Sequence, residues 1–171
     1  MVRNLILKRL DAEERVLGES LDYLRHVVRT SLRSFLKFAL FMPLAQHRRR
    51  LPAAPYRVAR IVATQHEDCG TCVQIGVNLA RKDGVPPEIL RAVLARRPEE
   101  LPDELANVYY FARAVVAAGG EEGELRRRIR ARWGEEGLVE LALAIAAARV
   151  FPTTKRALGY ATSCALVKVE V

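Results

Sequence analysis

Aromatic residues are scarce in this 171-residue chain: they make up 6% of it, whereas half of all residues are apolar. The core must therefore consist mainly of leucine, alanine and valine, a composition that favours helices over strands. We expect an all-α protein. The length suits a single domain with a substantial core.

Cysteine is also scarce, and three cysteines do not make the framework of a secreted disulfide scaffold. The first nine residues hold only a very short apolar run and no small-residue cleavage site, so they do not resemble a signal peptide. Lys37 interrupts the best candidate for a membrane-spanning run. The sequence therefore predicts a cytoplasmic protein, where paired cysteines are more often catalytic or metal-binding than structural.

Negative charge is missing mainly from the first third of the chain. Residues 1–60 hold 13 of the 28 basic and 5 of the 20 acidic residues, which gives +8, and the remainder holds 15 of each, which gives zero. No nucleic-acid-binding motif accompanies the basic residues and no aromatics are interleaved with them, so we expect no nucleic-acid partner. We interpret residues 1–50 as a basic helical extension of a core formed by residues 53–171.

Apolar residues recur at three- and four-residue steps from Asp11 to about Leu40, which predicts one long helix. Basic residues follow each other at intervals of four along another face of this helix. That face either contacts an anionic membrane surface or is simply solvated, and the solvated interpretation is favoured. The basic residues are Arg25, Arg29, Arg33 and Lys37.

Further helices are predicted by apolar periodicity bounded by proline, glycine and capping residues. Pro152 is expected to end the sixth of them, and Asp68 to cap the second. Only the tail 167–171 has the pattern of a strand. The predicted helices are 54–65, 69–82, 88–95, 103–118, 121–133, 135–151 and 153–166.

The most reactive chemistry in the sequence lies in the stretch from His66 to Cys72. Cys69 and Cys72 have Cys-x-x-Cys spacing and are predicted to lie at the start of a helix, where thiol pKa values fall. Such a pair can attack an oxidised substrate with one sulfur and resolve the product with the other. His66 is a candidate to take or return a proton, and Glu67 to orient it or to polarise a water molecule.

Other interpretations of the cysteines remain open at this stage. A zinc site would need His66, Cys69, Cys72 and the distant Cys164 as its four ligands. Both cysteines of the pair could instead be small buried residues. A thioredoxin-like site needs neighbouring strands, which the sequence does not predict. Cys164 itself is expected to pack in an apolar helix rather than to react.

The segment from His66 to Leu94 resembles the alkylhydroperoxidase D-like branch of the carboxymuconolactone decarboxylase superfamily. The shared features are a Cys-x-x-Cys that opens a helix, an Ala-Arg-Lys-x-Gly-Val end and a following helix that starts with an acidic residue. The resemblance implies an all-helical fold, homo-oligomers and a dithiol that reduces peroxides or exchanges disulfides. We expect such a dithiol to need no bound cofactor or metal and to take its electrons from an external dithiol. It assigns the attacking role to Cys72 and the resolving role to Cys69.

Two positions differ from the family pattern. The family carries a histidine four residues after the second cysteine, where this chain has Gly76, and a glutamate about a dozen residues before the first, where it has Arg57. His66 and Glu67 are the candidates to replace these groups. The leading hypothesis is a thiol oxidoreductase; the alternative is a non-enzymatic helical oligomeric interaction protein with a degenerate site or a redox switch.

Overall fold

The computed structural model describes residues 2–120, 122–164 and 170–171. These residues form nine α-helices, one short 3₁₀ helix and no β-strand, so the expected all-α class is confirmed for them. The α-helices are α1 (Val2–Leu17), α2 (Asp22–Thr30), α3 (Leu32–Ala39), α4 (Met42–Ala45), α5 (Ala53–His66), α6 (Gly70–Lys82), α7 (Pro87–Leu94), α8 (Asp103–Ala117) and α9 (Glu122–Ala157).

Helices α5 to α8 form within one residue of the predicted boundaries. Prolines open three of them: Pro55 lies in the first turn of α5, Pro87 begins α7, and Pro102 precedes α8. The predicted cap of α6 is wrong, because Asp68 has a left-handed backbone with φ of 48° and the residue directly before the helix is Cys69.

The single long helix predicted from Asp11 to Leu40 is wrong, since the chain forms α1, α2 and α3 instead. Gly18 ends α1 with a left-handed φ of 73°, and a Cβ there would lie 2.9 Å from Asn78 Nδ2. Ser31 has an extended backbone between α2 and α3, and its hydroxyl accepts a hydrogen bond from Ser34 N–H. Local turn chemistry therefore overrides the continuous apolar pattern.

The predicted break at Gly134 is confirmed, because its φ of 73° and ψ of −177° divide α9 into two helical segments. The predicted stop at Pro152 is wrong: α9 continues through it to Ala157, and Thr153 and Thr154 donate their hydroxyls to the carbonyls of Arg149 and Val150. Consequently there is no separate helix over 153–164. The predicted strand at 167–171 lies mostly outside the described residues.

The main core lies between α5, α8 and the second segment of α9, with α6 packed on α5. Ile61, Val77, Val108, Leu141 and Ile145 come from these four helices and are fully buried. By length and composition α9 is also long and apolar enough to span a membrane, although no membrane-spanning helix was predicted from the sequence. Half of its most apolar 18-residue stretch is, however, buried inside the protein. The buried residues of α9, such as Leu141 and Ile145, belong to the main core.

The first helices have a small apolar cluster of their own, and Leu10, Leu21, Tyr23 and Val28 form it. The side chain of Asn78 in α6 donates a hydrogen bond to the carbonyl of Leu17, 2.8 Å away. This bond connects the end of α1 to the helix that carries the cysteine pair.

Glu140 in α9 holds the basic connector between α4 and α5. Its buried carboxylate accepts hydrogen bonds from three consecutive backbone N–H groups, those of Arg49, Arg50 and Leu51, at 2.9–3.0 Å. Arg49, Arg50 and Glu140 also border a surface depression of about 630 Å³, away from the cysteines. Because Glu140 already occupies the backbone donors, this arrangement stabilises the fold rather than forming an open anion site.

Candidate functional site

Cys69 and Cys72 are joined by a disulfide bond at the start of α6, with their Cα atoms 5.3 Å apart. Cys69 is fully buried, whereas Cys72 is 8% exposed. A reactant that approaches from solvent therefore reaches Cys72 before Cys69. The attacking role of Cys72 and the resolving role of Cys69 stay predictions.

The first turn of α6 is completed by the C-terminal segment of the chain. Gly70 N–H donates to the carbonyl of Thr162 at 2.9 Å, so an amide at the helix start is already paired. Further along the helix, the Gln74 side chain exchanges two hydrogen bonds with the backbone of Glu170, at 2.8 and 3.0 Å. The C-terminal residues thus lie against the same helix that carries the disulfide.

Asp68 attaches the loop before the disulfide to this C-terminal segment. Its carboxylate accepts hydrogen bonds from the Ser163 hydroxyl and from Cys164 N–H, both at 2.8 Å. The bond from Ser163, followed by that from Cys164, holds the pKa of Asp68 below its usual value. Asp68 is therefore an ionised anchor rather than a proton donor at neutral pH.

Glu67 attaches the same loop to α9. Its carboxylate accepts a hydrogen bond from Arg149 Nε at 2.5 Å, and Arg156 lies 3.5 Å away. Burial alone raises the pKa of Glu67, but the bond and charge of Arg149 and the charge of Arg156 outweigh it and hold the pKa below its usual value. A carboxylate bound in this way positions the loop and is a poor proton acceptor.

His66 is the last residue of α5 and is exposed. Its ring makes no hydrogen bond, ion pair or ring contact within the described part of the chain. The structure therefore places Glu67 in the loop before α6 and the two cysteines at the start of that helix, and it leaves the imidazole of His66 free to reach solvent. No contact among the described residues holds the His66 ring near either sulfur.

Thr71 and Lys155 form a polar chain that ends at the disulfide. The Lys155 ammonium donates to Thr71 Oγ1 at 3.0 Å, and Thr71 Oγ1 lies 3.6 Å from Cys69 Sγ. A disulfide sulfur has no hydrogen, so the Thr71 hydroxyl is the donor in the second contact. The order of donation is therefore Lys155 to Thr71 to Cys69.

Lys155 is 4% exposed, an uncommon setting for a cation. Its Nζ lies 5.4 Å from the centre of the Tyr23 ring, at a distance typical of a cation–π contact. Burial lowers the pKa of Lys155, and the negative charge of Glu19 opposes that shift. Because Tyr23 lies in α2 and Glu19 just before it, the N-terminal extension helps to enclose the site.

The two positions that differ from the family pattern lie apart from this polar chain. A Cβ at Gly76 would lie 3.3 Å from Ile61 Cγ1, so position 76 faces the packed side of α5. Arg57 forms an ion pair with Asp83, the residue that follows α6, at 2.9 Å. Arg57 is consequently at the opposite end of α6 from the cysteines.

Cys164 is the free cysteine, and it lies in the C-terminal segment beyond α9, so the prediction that it lies in a helix over 153–166 is wrong. It is partly buried against the main core, as expected for a packing residue. Burial raises the pKa of its thiol, and the charge of Asp68 raises it further. Within the described residues no group of three or more histidine, cysteine, aspartate or glutamate side chains could hold a metal ion.

Comparisons of the chain with protein-family models, with curated proteins and with solved structures found no match in any of the three. The similarity to the alkylhydroperoxidase D-like branch therefore remains a prediction from the motif at Cys69 and the residues after it.

The cysteine pair was predicted from the sequence, whereas Lys155 and the two arginines that hold Glu67 were not. Arg149, Thr153 and Arg156 share one helix face only if the helix continues through Pro152, and the prediction ended it there. The four-residue spacing from Arg149 to Thr153 was the available signal. The contact of Lys155 with Thr71 joins residues 84 positions apart, which local periodicity cannot indicate.

Proposed function

We propose that the protein is a thiol-dependent oxidoreductase that cycles Cys69 and Cys72 between a dithiol and a disulfide. The observation that supports this most directly is the disulfide at the start of α6, in which Cys69 is fully buried and Cys72 keeps 8% of its surface exposed. Peroxides and disulfides are the proposed oxidants, and an external dithiol is the proposed reductant. The helix arrangement is proposed to be alkylhydroperoxidase D-like, in a homo-oligomer.

With a peroxide, the Cys72 thiolate attacks the terminal oxygen and the O–O bond breaks. Cys72 becomes a sulfenic acid, and the released alkoxide takes a proton to become an alcohol. The Cys69 thiol then attacks the Cys72 sulfur, releases water and restores the disulfide. Two electrons pass from the two sulfurs to the peroxide.

An external dithiol returns the protein to its reduced state. One of its thiolates attacks Cys72, and the bond from Cys72 to Cys69 breaks with both electrons on Cys69. The second thiol of the donor attacks its own sulfur in the mixed disulfide and releases Cys72. The donor leaves as a disulfide, and the protein has gained two electrons and two protons.

Turnover with dithiothreitol as the donor tests the proposal, with either an organic hydroperoxide or oxidised glutathione as the acceptor. We expect Cys72→Ser to abolish turnover with both acceptors. Cys164→Ser is the matched control, since it removes a thiol outside the pair, and it should retain the wild-type rate. Equal rates for wild type and Cys72→Ser would contradict the proposal.

A redox switch without turnover is the second candidate, and the C-terminal segment favours it. Thr162 and Ser163 bind the residues on either side of Cys69, so opening the disulfide can change how this segment is held. A disulfide that forms and reopens reversibly, without catalytic turnover of either acceptor, would favour this candidate over the enzyme.

A further inference from the structure

Lys155 is a buried cation, and none of the described carboxylates forms an ion pair with it. Within the described part of the chain it forms no salt bridge, and the carboxylate that acts on it electrostatically is Glu19. The other groups that face its ammonium are the Tyr23 ring from α2 and the Thr71 hydroxyl from α6. Burying a cation without a counter-ion is costly, so this position calls for a negative charge nearby.

The Cys69 sulfur is the group that can supply this charge. An ammonium carries only donors, so Thr71 Oγ1 must accept from Lys155 and its single hydrogen remains for Cys69. In the disulfide that sulfur is a weak acceptor. In the reduced protein a thiolate would take a charge-assisted hydrogen bond from the same hydroxyl, which is markedly stronger.

We propose that Lys155, acting through Thr71, stabilises the Cys69 thiolate and thereby makes Cys69 the leaving sulfur when the disulfide is reduced. Lys155 is a positioning residue in this scheme, because it contacts Thr71 and not the sulfur. The inference deepens the proposed function, and it supplies from α9 a charged group that the family pattern places elsewhere.

The consequence for the reduction step follows from the direction of bond breaking. A thiolate of a dithiol reductant forms a new S–S bond with Cys72, and the electron pair of the broken bond moves to Cys69. An exchange of this kind is faster when the leaving thiol has a low pKa. Lys155 and the buried position of Cys69 therefore favour attack at Cys72.

Titration of a single thiol tests the inference without relying on turnover. In a Cys72→Ala, Cys164→Ala background Cys69 is the remaining thiol, and its ionisation is followed by the ultraviolet absorbance of the thiolate. Adding either Lys155→Met or Thr71→Val should reduce the thiolate fraction at neutral pH about tenfold. The double variant should differ little from either single variant, because both changes interrupt the same series of hydrogen bonds from Lys155 through Thr71 to Cys69.

Two controls separate an electrostatic role from a structural one. Thr71→Ser keeps the hydroxyl and should retain the wild-type titration of Cys69. In a Cys69→Ala, Cys164→Ala background, Lys155→Met should shift the titration of Cys72 much less. If Lys155→Met fails to fold, as judged by circular dichroism, the comparison of Thr71→Val with Thr71→Ser decides the question.

An unchanged Cys69 titration in folded Lys155→Met or Thr71→Val protein would overturn the inference. This result is distinct from failure of the proposed function. A protein that shows no turnover but whose Cys69 titration responds to Lys155 and Thr71 would support the inference and contradict the enzyme.

Discussion

Replacing Glu67 by glutamine tests whether charge holds the loop before the disulfide. Glutamine keeps the size of the side chain and removes the charge that Arg149 and Arg156 contact. The Glu67 side chain is 10% exposed, but the arginines are 42% and 50% exposed, so water partly screens both pairs. Allowing for that screening, we expect the free energy of unfolding to fall by about 1–2 kcal/mol at neutral pH.

The stability lost in Glu67→Gln should become smaller as the pH falls. The pKa of Glu67 is lower in the folded state than its ordinary value of 4.5, so folding stabilises the ionised carboxylate. Its contribution is fully present above that ordinary value and is lost as the pH falls through the folded pKa. The difference between wild type and Glu67→Gln should therefore disappear in acid.

Urea unfolding of the oxidised protein at neutral pH and at about pH 3 measures the loss of stability in Glu67→Gln and its dependence on pH. Glu136→Gln is a matched control: its carboxylate also lies 2.5 Å from an arginine Nε, that of Arg50, but its side chain is 71% exposed. That control should unfold like wild type. The reasoning fails if Glu67→Gln unfolds like wild type at neutral pH, or if its deficit persists unchanged in acid.

Two further predictions concern α9, and denaturant unfolding checks each. Glu140→Ala leaves the N–H groups of Arg49, Arg50 and Leu51 without their acceptor, so it should lower the free energy of unfolding by about 3 kcal/mol; a loss below about 1 kcal/mol would mean that water replaces the carboxylate. Gly134→Ala should cost about 1–3 kcal/mol, because its φ of 73° and ψ of −177° suit glycine alone. Gly123→Ala, at an exposed helical position with open space around it, should not destabilise the protein, and equal effects of the two alanines would contradict the strain at Gly134.

Local sequence signals predicted the helix boundaries correctly where no second signal competed with them. Proline and apolar periodicity placed α5, α7 and α8, and Gly134 correctly marked a break. The prediction failed where two local signals competed. The apolar pattern continued through Gly18 although that residue turns the chain, and Pro152 suggested a stop although the core buries it inside α9.

The candidate site was predictable only in part, for a related reason. Cys69 and Cys72 are close in sequence, so their spacing alone indicated that they could pair. Their polar surroundings come from residues distant in sequence: Lys155 from α9 and Tyr23 from α2. Tertiary packing determines those contacts, and a pattern with a period of three or four residues carries no information about them.

The close approach of α5 and α6 at Gly76 has a consequence for protein engineering. Installing the family's histidine at position 76 would place a Cβ 3.3 Å from Ile61 Cγ1, so Ile61 would have to move by a few tenths of an ångström, and it would have to be truncated only where the packing prevents that movement. Truncating a buried isoleucine to alanine costs about 2–5 kcal/mol, a large part of the stability of a typical domain. A histidine side chain at position 76 and the packed Ile61 side chain therefore compete for the same space between α5 and α6. A redesign that adds the imidazole there would lower the stability of the protein.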